Sequence, residues 1–280
     1  MKAAARILTG CLFLLFVAPS ANAAEAENAF RSAVKLQRSG KLKEAVAAYD
    51  RAIKADPRGA AAYVGRGSAL AQLGLHERAL KDYDDALLRD PNLADAYYLR
   101  GNAHNELRQY ADAVKNYDEA LRRNPKFADA YFNRGVAFYR LGQLEKSLHD
   151  FNQAQKLNPK DPEIYARRGL AQRRLGNHER AVADYSEAIK LDPKNAETYN
   201  NRANVHSLLG KYDEAVKDYD EAVKLDPKNA RIYANRGAIK LRQRQTAEAR
   251  KDFKRALELD PGLKAKLEPL MTLEAPPNQR

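Results

Sequence analysis

Apolar and small residues recur at helical spacing along most of this chain. Ala103 and Leu107 lie four positions apart, as do Ala137 and Leu141, so each pair shares one stripe of a helix. Polar turns that contain glycine or proline separate these blocks. The pattern predicts an all-α protein.

The helical blocks repeat with a period of 34 residues. Prolines mark the period at Pro57, Pro91, Pro125, Pro159, Pro193, Pro227 and Pro261. A tyrosine column contains Tyr63, Tyr97, Tyr131, Tyr165, Tyr199 and Tyr233, and an alanine column contains Ala52, Ala86, Ala120, Ala154, Ala188, Ala222 and Ala256. Self-similarity at this period is typical of a solenoid, in which each unit packs on its neighbours.

Each repeat is predicted to contain two helices of about 14 residues joined by a tight turn. Glycine, which takes positive φ at helix ends, occupies the turn in five repeats: Gly40, Gly74, Gly142, Gly176 and Gly210. Arg108 and Arg244 hold the other two turns. The second helix ends before the proline, because the preceding residue avoids the α region.

Small residues are expected where the two helices of a repeat cross. We predict that a glycine column on the first helix faces a column of alanine and serine on the second. The glycines are Gly67, Gly101, Gly135, Gly169 and Gly237, and their expected partners are Ala79, Ala113, Ser147, Ala181 and Ala249.

With its aromatic, small-residue, alanine and proline columns in register, the sequence resembles the tetratricopeptide repeat (TPR) family. The resemblance implies a right-handed α-solenoid with a concave groove that binds peptides or partner proteins without catalysis. The seven predicted repeats span residues 26–59, 60–93, 94–127, 128–161, 162–195, 196–229 and 230–263. Residues 264–280 are predicted to form a short capping helix and a disordered tail.

A column of arginines interrupts the apolar stripe of the first helices: Arg66, Arg100, Arg134, Arg168, Arg202 and Arg236. A charge at such a position needs a partner. The column sixteen residues later offers Asp82, Asn116, Asp150, Asp184, Asp218 and Asp252. In the first repeat both partners are absent together, since Ser32 and Ala48 take these places. We therefore predict a structural bond between the two helices of each repeat.

The resemblance places the binding groove on the first helices. The implied peptide-binding residues are Tyr98, Asn102, Asn105, Phe132, Asn133, Tyr139, Arg140, Arg167 and Arg174. Together they give an aromatic and apolar zone, an amide zone and a basic zone. Further along the chain, a second amide ladder contains Asn200, Asn201, Asn204 and Asn235.

Some members of the family hold a peptide's C-terminal carboxylate with a clamp of lysine, asparagine and arginine. Asn102, Asn133 and Arg167 fall on three of its five places, while Tyr98 and Glu163 replace the two lysines. The resemblance thus implies a relaxed site for an acidic peptide or a free carboxylate. Arginine binds carboxylate with two parallel hydrogen bonds.

The N-terminus has the features of a cleaved signal peptide in residues 1–23. Lys2 and Arg6 precede an apolar run of about a dozen residues, too short to span a bilayer, and Ala21-Asn22-Ala23 is a small-residue cleavage site. We expect a periplasmic or secreted protein without a transmembrane segment. The alternative is a lipoprotein signal at Leu8–Cys11, although the apolar run continues beyond Cys11, the chain's single cysteine.

No motif for catalysis, a cofactor or a metal is evident in the sequence. His104 and His206 share one repeat column but lie 102 residues apart, so we expect each to make a local bond instead of ligating a common metal. Phosphate-binding loops and nucleophile motifs are also missing from the sequence. We predict a protein that is not an enzyme and has no catalytic residues.

Two classes of function remain open at this stage. The first is a TPR scaffold that binds a peptide or protein in its groove and assists assembly of an envelope complex. The second is binding of an anionic polymer, such as a polysaccharide, lipopolysaccharide or nucleic acid, because the formal net charge is +12. The lysines are spread among acidic residues instead of forming one stripe, and export argues against nucleic acid. We therefore favour the scaffold and expect no nucleic acid.

Overall fold

The computed structural model describes residues 21–272, which contain fifteen α-helices, one short 3-10 helix and no strand. The α-helices are α1 (Ala21–Arg38), α2 (Leu42–Ala55), α3 (Ala60–Gln72), α4 (His76–Arg89), α5 (Ala94–Glu106), α6 (Tyr110–Arg123), α7 (Ala128–Arg140), α8 (Leu144–Leu157), α9 (Pro162–Arg174), α10 (His178–Leu191), α11 (Ala196–Leu208), α12 (Tyr212–Leu225), α13 (Ala230–Arg242), α14 (Thr246–Leu259) and α15 (Lys264–Met271). The 3-10 helix is Pro261–Leu263. The predicted signal peptide falls almost wholly outside these residues, as do Cys11 and the end of the predicted tail.

The chain divides into two compact units, Met1–Asn92 and Leu93–Arg280. In the first unit α1 packs on α2 and α3 on α4, and in the second the pairs are α5–α6, α7–α8, α9–α10, α11–α12 and α13–α14. Within each unit the second helix of a repeat also packs on the first helix of the next repeat. The fold class is therefore the predicted all-α solenoid of helix pairs.

Buried alanines and aromatic rings form the core of each helix pair. In α6, Ala113, Tyr117 and Ala120 are fully buried at intervals of four and three residues, on one side of the helix. Asn124 ends α6 with a non-helical backbone, and its side-chain oxygen accepts a hydrogen bond from the backbone N–H of Lys126 at 3.1 Å. The helix therefore stops where the sequence places proline.

The turns within repeats share one left-handed conformation. The glycine turns have φ between +72° and +80°, and Arg108 and Arg244 adopt φ of 59° and 64° without glycine's freedom. At Gly142 the turn is closed by a hydrogen bond from the Gln143 backbone N–H to the Phe138 carbonyl at 2.9 Å. Turn geometry is thus preserved even where a β-carbon has to be accommodated.

The glycine column faces aromatic rings more closely than it faces the alanines predicted from the sequence. A β-carbon at Gly101 would lie 2.6 Å from the Tyr117 ring, and one at Gly135 would lie 3.0 Å from the Phe151 ring. The serine of the small column is nevertheless close, because Ser147 Oγ donates to the Gly135 carbonyl at 2.7 Å. Glycine therefore leaves room mainly for a ring of the second helix.

The arginine column makes the predicted bond between the two helices of a repeat. Arg134 donates two hydrogen bonds to the Asp150 carboxylate, from Nε at 2.7 Å and from Nη2 at 2.8 Å. Asp150 is only 1% exposed. Arg66, Arg168, Arg202 and Arg236 bind their aspartates in the same bidentate manner. The structural role predicted for Arg134 is confirmed.

Each of these arginines also donates a hydrogen bond to a side chain on a third helix. Arg134 also donates to Asp118, on the second helix of the preceding repeat, at 2.5 Å. The equivalent partners of Arg66, Arg168, Arg202 and Arg236 are Asp50, Asn152, Ser186 and Asp220. One side chain therefore ties its own helix pair to the preceding repeat.

The last helix, α15, is eight residues long and contains Pro269. Proline shortens a helix because it lacks an N–H donor and clashes with the preceding turn. Leu267 is nevertheless buried and packs with Phe253 and Ala256 of α14. The helix thus covers part of the final apolar stripe.

Candidate functional site

The nine predicted peptide-binding residues all lie on first helices of the second unit. Three are on α5, four on α7 and two on α9, and these helices pack side by side. We call the surface formed by α5, α7, α9, α11 and α13 the first-helix face. Local repeat geometry therefore brings most of the predicted residues onto one surface.

A hydrogen-bonded group of three side chains joins α5 to α7. The Asn133 amide nitrogen donates to the Tyr98 hydroxyl at 3.1 Å and to the Asn102 amide oxygen at 2.9 Å. Tyr117, fully buried on α6, donates to the same Asn102 oxygen at 2.8 Å. Burial raises the pKa of Tyr117, so its hydroxyl stays protonated and acts as the donor. We call Tyr98, Asn102 and Asn133 the first amide cluster.

The bonds inside this cluster leave one donor and one acceptor unused. The Asn102 oxygen accepts two bonds and the Asn133 nitrogen donates two, which uses the capacity of these atoms. The Asn102 nitrogen also bonds the Tyr98 hydroxyl, which leaves one of its two N–H groups, and among the described residues the Asn133 oxygen has no donor. Both side chains are half-buried and so reach the surface. Together they present the complement of one peptide unit, which has one N–H and one C=O.

The aromatic residues of the predicted site pack against the repeat core. The Tyr98 ring centroid lies 4.6 Å from that of Phe127, and the Phe132 centroid lies 5.8 Å from that of Phe151. Burial raises the pKa of Tyr98. Both residues are half-buried, so part of each side chain reaches the surface.

Asn105 does not point its amide oxygen toward solvent. The oxygen is buried and accepts no hydrogen bond from any described residue. The carbonyl oxygen is therefore turned away from the binding surface, and the peptide contact of Asn105 stays a prediction. Its place near the end of α5 turns the oxygen inward, which the repeat position does not reveal.

Two exposed arginines lie where α7 and α9 end. Arg174 stacks on Tyr139, with its guanidinium carbon 4.9 Å from the ring centroid, and donates to the Tyr139 carbonyl at 3.3 Å. No described carboxylate forms an ion pair with Arg140 or Arg174. We call these two residues the face arginines, and they present the positive charge that the sequence predicts.

Arg167 differs from the face arginines because it is paired with Glu163. The two side chains lie one helical turn apart on α9, with a nitrogen–oxygen distance of 3.0 Å. Arg167 also lines a cavity of about 390 Å³ between α9 and α11, whose wall contains four carboxylates: Asp161, Glu163, Asp192 and Glu197. The basic zone predicted from the sequence is therefore interrupted at Arg167.

A smaller apolar cup of about 140 Å³ lies between α7 and α9. Its wall consists of Val136, Tyr139, Phe151 and Leu170, and Arg140 and Arg167 also contribute to its lining. An apolar side chain fits such a cup while the arginines remain close to an adjacent negative charge. The sequence did not single out Val136 or Leu170, although both are apolar residues on first helices.

A second group of amides lies on α11 and α13. The Asn235 nitrogen donates to the Asn200 oxygen at 3.2 Å, and Tyr219 donates to the Asn204 oxygen at 2.8 Å. We call Asn200, Asn204 and Asn235 the second amide cluster. The repeat columns identify it, since each member stands 102 residues after a member of the first cluster.

His104 makes a local hydrogen bond, whereas His206 only approaches a carboxylate and its buried Nδ1 has no partner among the described residues. His104 Nδ1 lies 2.7 Å from the Gln109 side-chain oxygen, and His206 Nε2 lies 3.8 Å from Asp218. Within residues 21–272, no three His, Cys, Asp or Glu side chains are grouped to hold a metal ion. Among the same residues, no helix combines the length and apolarity that crossing a bilayer requires.

Comparison with known families gives matches along most of the chain. Profiles described as tetratricopeptide repeat match residues 30–95, 76–115, 98–162, 196–229 and 230–263, and a profile described as TPR repeat matches residues 173–210. No curated protein matches the chain in sequence.

Several solved structures are similar to this chain. YrrB, described as a TPR protein with an unusual peptide-binding site, is 26% identical, with 64% of this chain and 92% of YrrB covered and a TM-score of 0.57. MamA is 25% identical, with coverage of 59% and 96% and a TM-score of 0.55. A tetratricopeptide repeat protein from Parabacteroides merdae is 22% identical, with coverage of 89% and 100% and a TM-score of 0.65, and shares the fold.

Proposed function

Because the chain belongs to the tetratricopeptide repeat family, we propose that it is a non-catalytic scaffold that binds a peptide segment of a partner protein on α5, α7 and α9. The observation that carries the proposal is the unused N–H of Asn102 and the unused oxygen of Asn133, on the same set of helices as the face arginines. The similarity to YrrB, whose description names a peptide-binding site, supports the same class of function.

The first amide cluster binds the peptide main chain. The Asn102 nitrogen donates to a peptide carbonyl, and the Asn133 oxygen accepts from a peptide N–H. The bonds to Tyr98 and Tyr117 hold the two amides in place before binding, which reduces the entropy lost when the ligand docks. Main-chain bonds of this kind give affinity without strict sequence preference.

Side-chain preference comes from the cup and the face arginines. An apolar side chain enters the cup beside Leu170, while an acidic side chain or a free C-terminal carboxylate meets Arg140 and Arg174. The carboxylates around the neighbouring cavity repel negative charge, so the acidic group is expected on the α7 side of Arg167. The acidic peptide predicted from the sequence is therefore expected to place its negative charge at one position, beside Arg140 and Arg174.

The cellular role follows from the signal predicted in residues 1–23. A chain cleaved after Ala23 acts in the periplasm or outside the cell, where a peptide-binding scaffold assists assembly of an envelope complex. Mass spectrometry of the exported protein tests this assignment. An N-terminus at Ala24 is expected, and a lipid on Cys11 or an uncleaved Met1 would refute it.

A peptide selection tests the binding site directly. Random peptides displayed with free C-termini are selected on the purified protein, and the affinities of the enriched peptides are measured by fluorescence anisotropy. Losing a hydrogen bond to a charged group costs about 1.5–3 kcal/mol. The triple variant Asn133→Ala, Arg140→Ala, Arg174→Ala should therefore bind these peptides at least about tenfold more weakly.

The three substituted side chains are half-buried or exposed, whereas Asn102→Ala would leave the buried Tyr117 hydroxyl without its acceptor. Enriched peptides that lack acidic residues, or that bind the triple variant with wild-type affinity, would contradict the proposal. A salt titration tests the anionic-polymer alternative, because the logarithm of a polymer's binding constant falls steeply and linearly with the logarithm of salt concentration.

A further inference from the structure

The cavity between α9 and α11 lies where two aromatic rings of an earlier repeat are replaced by smaller side chains. Between α5 and α7, Tyr98 stacks on Phe127, with 4.6 Å between the ring centroids. The residues at the same positions two repeats later are Ala166 and Asn195, and both line the cavity of about 390 Å³. A space of this size can hold a small molecule.

A buried hydroxyl without a partner belongs to the wall of the same cavity. Thr198 lines the cavity and is only 4% exposed, so the little surface that it keeps faces the cavity. Its hydroxyl has no hydrogen-bond partner among the described residues. The corresponding residues of the other repeats after the first are apolar and buried: Ala62, Ala96, Ala130, Ile164 and Ile232. A buried hydroxyl costs free energy unless it is hydrogen-bonded, so Thr198 points to a polar ligand in the cavity.

The wall of the cavity has an excess of negative charge that comes from two directions. Asp161 and Glu163 lie at the start of α9, whereas Asp192 follows α10 and Glu197 lies in the first turn of α11. Arg167 is the only cation of the lining, and it pairs with Glu163. The other three carboxylates form no ion pair with any described residue. The cavity is therefore suited to a cationic ligand.

Two of the carboxylates are held in position by the backbone. One Asp161 oxygen accepts a hydrogen bond from the Glu163 backbone N–H at 2.9 Å, and one Asp192 oxygen accepts from the Lys194 backbone N–H at 3.1 Å. The second oxygen of each carboxylate accepts no hydrogen bond from a described residue, and it can accept one from a ligand. These acceptors are thus oriented before a ligand binds, which reduces the entropy lost on binding.

The chemistry of the wall fits an extended organic cation. Within residues 21–272, no three His, Cys, Asp or Glu side chains are grouped to hold a metal ion, and the carboxylates of this cavity come from two sides. Pro162, Ala166 and Leu170 add apolar surface to the wall. A methylene chain packs on such a surface while its ammonium ends meet the carboxylates. Aliphatic amines are charged at neutral pH, since their pKa is about 10.4 in lysine.

We propose that the α9–α11 cavity binds a linear aliphatic diamine. One ammonium group donates to the carboxylates at the start of α9, and the other donates to Asp192, Glu197 and the Thr198 hydroxyl. The methylene chain lies against the apolar part of the wall. The site does not depend on the proposed peptide site, because no member of the first amide cluster and neither face arginine lines the cavity.

Isothermal titration calorimetry of the purified protein with cadaverine tests the site. Cadaverine has an ammonium group at each end of its carbon chain, and pentylamine is the matched monoamine. Cadaverine should bind at least about tenfold more tightly than pentylamine, because a monoamine leaves one set of carboxylates without a partner. Undetectable binding of cadaverine, or equal affinity for the two amines, would overturn the proposal.

A first pair of variants tests whether the diamine occupies this cavity. Ala166→Phe fills the cavity with a ring of the kind that Phe132 supplies at the same repeat position, and it should abolish cadaverine binding. Val64→Phe is the matched control, because it adds a ring at the same repeat position outside the cavity. It should bind cadaverine as the wild type does, and circular dichroism confirms that both variants are folded. Wild-type affinity of Ala166→Phe would place the diamine elsewhere and overturn the proposal.

A second set of variants tests the polar contacts while the shape of the cavity is kept. Glu163→Gln combined with Glu197→Gln removes one charge from each side, and both side chains are exposed, so the fold should be retained. This double variant should bind cadaverine at least about tenfold more weakly, and Thr198→Val should weaken binding about tenfold. Unchanged affinity in the double variant would contradict the charge recognition that we propose.

The same ammonium chemistry could come from a lysine side chain of a protein. An N-acetyl-lysine amide presents that side chain with a single charge, and it should bind at least about tenfold more weakly than cadaverine. If it binds as tightly as cadaverine, the diamine assignment is overturned and the cavity is assigned to a lysine side chain.

Discussion

Arginines occur in two settings on the first helices of this protein, and the settings give them different roles. The arginine column, Arg66, Arg100, Arg134, Arg168, Arg202 and Arg236, lies between helices and binds polar or acidic side chains of the second helices. The face arginines, Arg140 and Arg174, are exposed and form no ion pair with a described carboxylate. Burial and partners therefore decide whether an arginine stabilises the solenoid or remains available to a ligand.

The largest difference is expected in stability. Arg134→Ala leaves the carboxylate of Asp150 buried without its partner, which costs about 3–5 kcal/mol. Arg140→Ala, on the same helix, should change stability by less than about 0.5 kcal/mol. Urea unfolding followed by circular dichroism measures both. Equal midpoints for the two variants would remove the distinction between the two settings.

A double variant tests whether the instability of Arg134→Ala comes from the unpaired Asp150 carboxylate or from lost packing. Arg134→Met combined with Asp150→Leu replaces the buried pair by apolar side chains and should regain most of the loss, because such replacements are often neutral. A double variant as unstable as Arg134→Ala alone would show that packing, and not the unpaired carboxylate, causes the loss.

For peptide affinity, in contrast to stability, substitutions of the face arginines should have the larger effect. Arg140→Ala and Arg174→Ala should each weaken the selected acidic peptides by about 1.5–3 kcal/mol, whereas Arg167→Ala should have a smaller effect because Glu163 already neutralises Arg167. Fluorescence anisotropy at constant salt measures these affinities. If Arg167→Ala causes the largest loss, the anion lies nearer the α9–α11 cavity than we propose.

The two acidic partners of Arg134 allow a finer comparison within the arginine column. Asp150 is buried, but the Asp118 side chain is 53% exposed, so solvent screens its attraction to Arg134. Asp118→Ala should therefore cost less than about 1 kcal/mol. A loss as large as that of Arg134→Ala in the same urea experiment would mean that the link between repeats dominates the link within a repeat.

The smallest expected effect concerns the histidine beside one aspartate of the column. Burial lowers the pKa of His206, despite Asp218 at 3.8 Å. Below the ordinary histidine pKa of about 6.5 the unfolded chain therefore binds more protons than the folded chain, and stability falls as the pH drops toward the lowered value. His206→Gln should reduce this fall, as measured by urea midpoints at pH 7.5 and 5.5. An unchanged pH dependence would show that His206 does not contribute to it.

The sequence predicted the helix pairs and the bond between the two helices in every repeat after the first. A 34-residue period fixes which columns share a helix stripe, and the joint loss of Arg and Asp in the first repeat identifies that pair. Both results depend on separations that are constant along the chain, so a periodic pattern contains them. The turn positions followed in the same way, including the two where arginine replaces glycine.

The candidate site was only partly predictable. Repeat columns placed Asn102 and Asn133 on neighbouring helices, but hydrogen bonds with Tyr98 and Tyr117 decide which of their atoms remain unused. The same columns suggested that Asn105 and Arg167 expose their polar groups as the other predicted site residues do. Instead, Asn105 turns its oxygen inward and Arg167 pairs with Glu163. Repeat position determines where a residue lies on a helix and not the direction of its polar atoms.

The all-α repeat architecture, the helix ends and the arginine–aspartate link of five repeats could all be read from the sequence. Tertiary structure alone decided that Arg134 also reaches Asp118 of the preceding repeat and that carboxylates surround the cavity beside Arg167. The difference arises from the distance along the chain over which each interaction acts. Periodic burial and turn chemistry act over a few residues and are visible in the sequence, whereas hydrogen bonds and charges between repeats depend on which side chains the packed helices bring together.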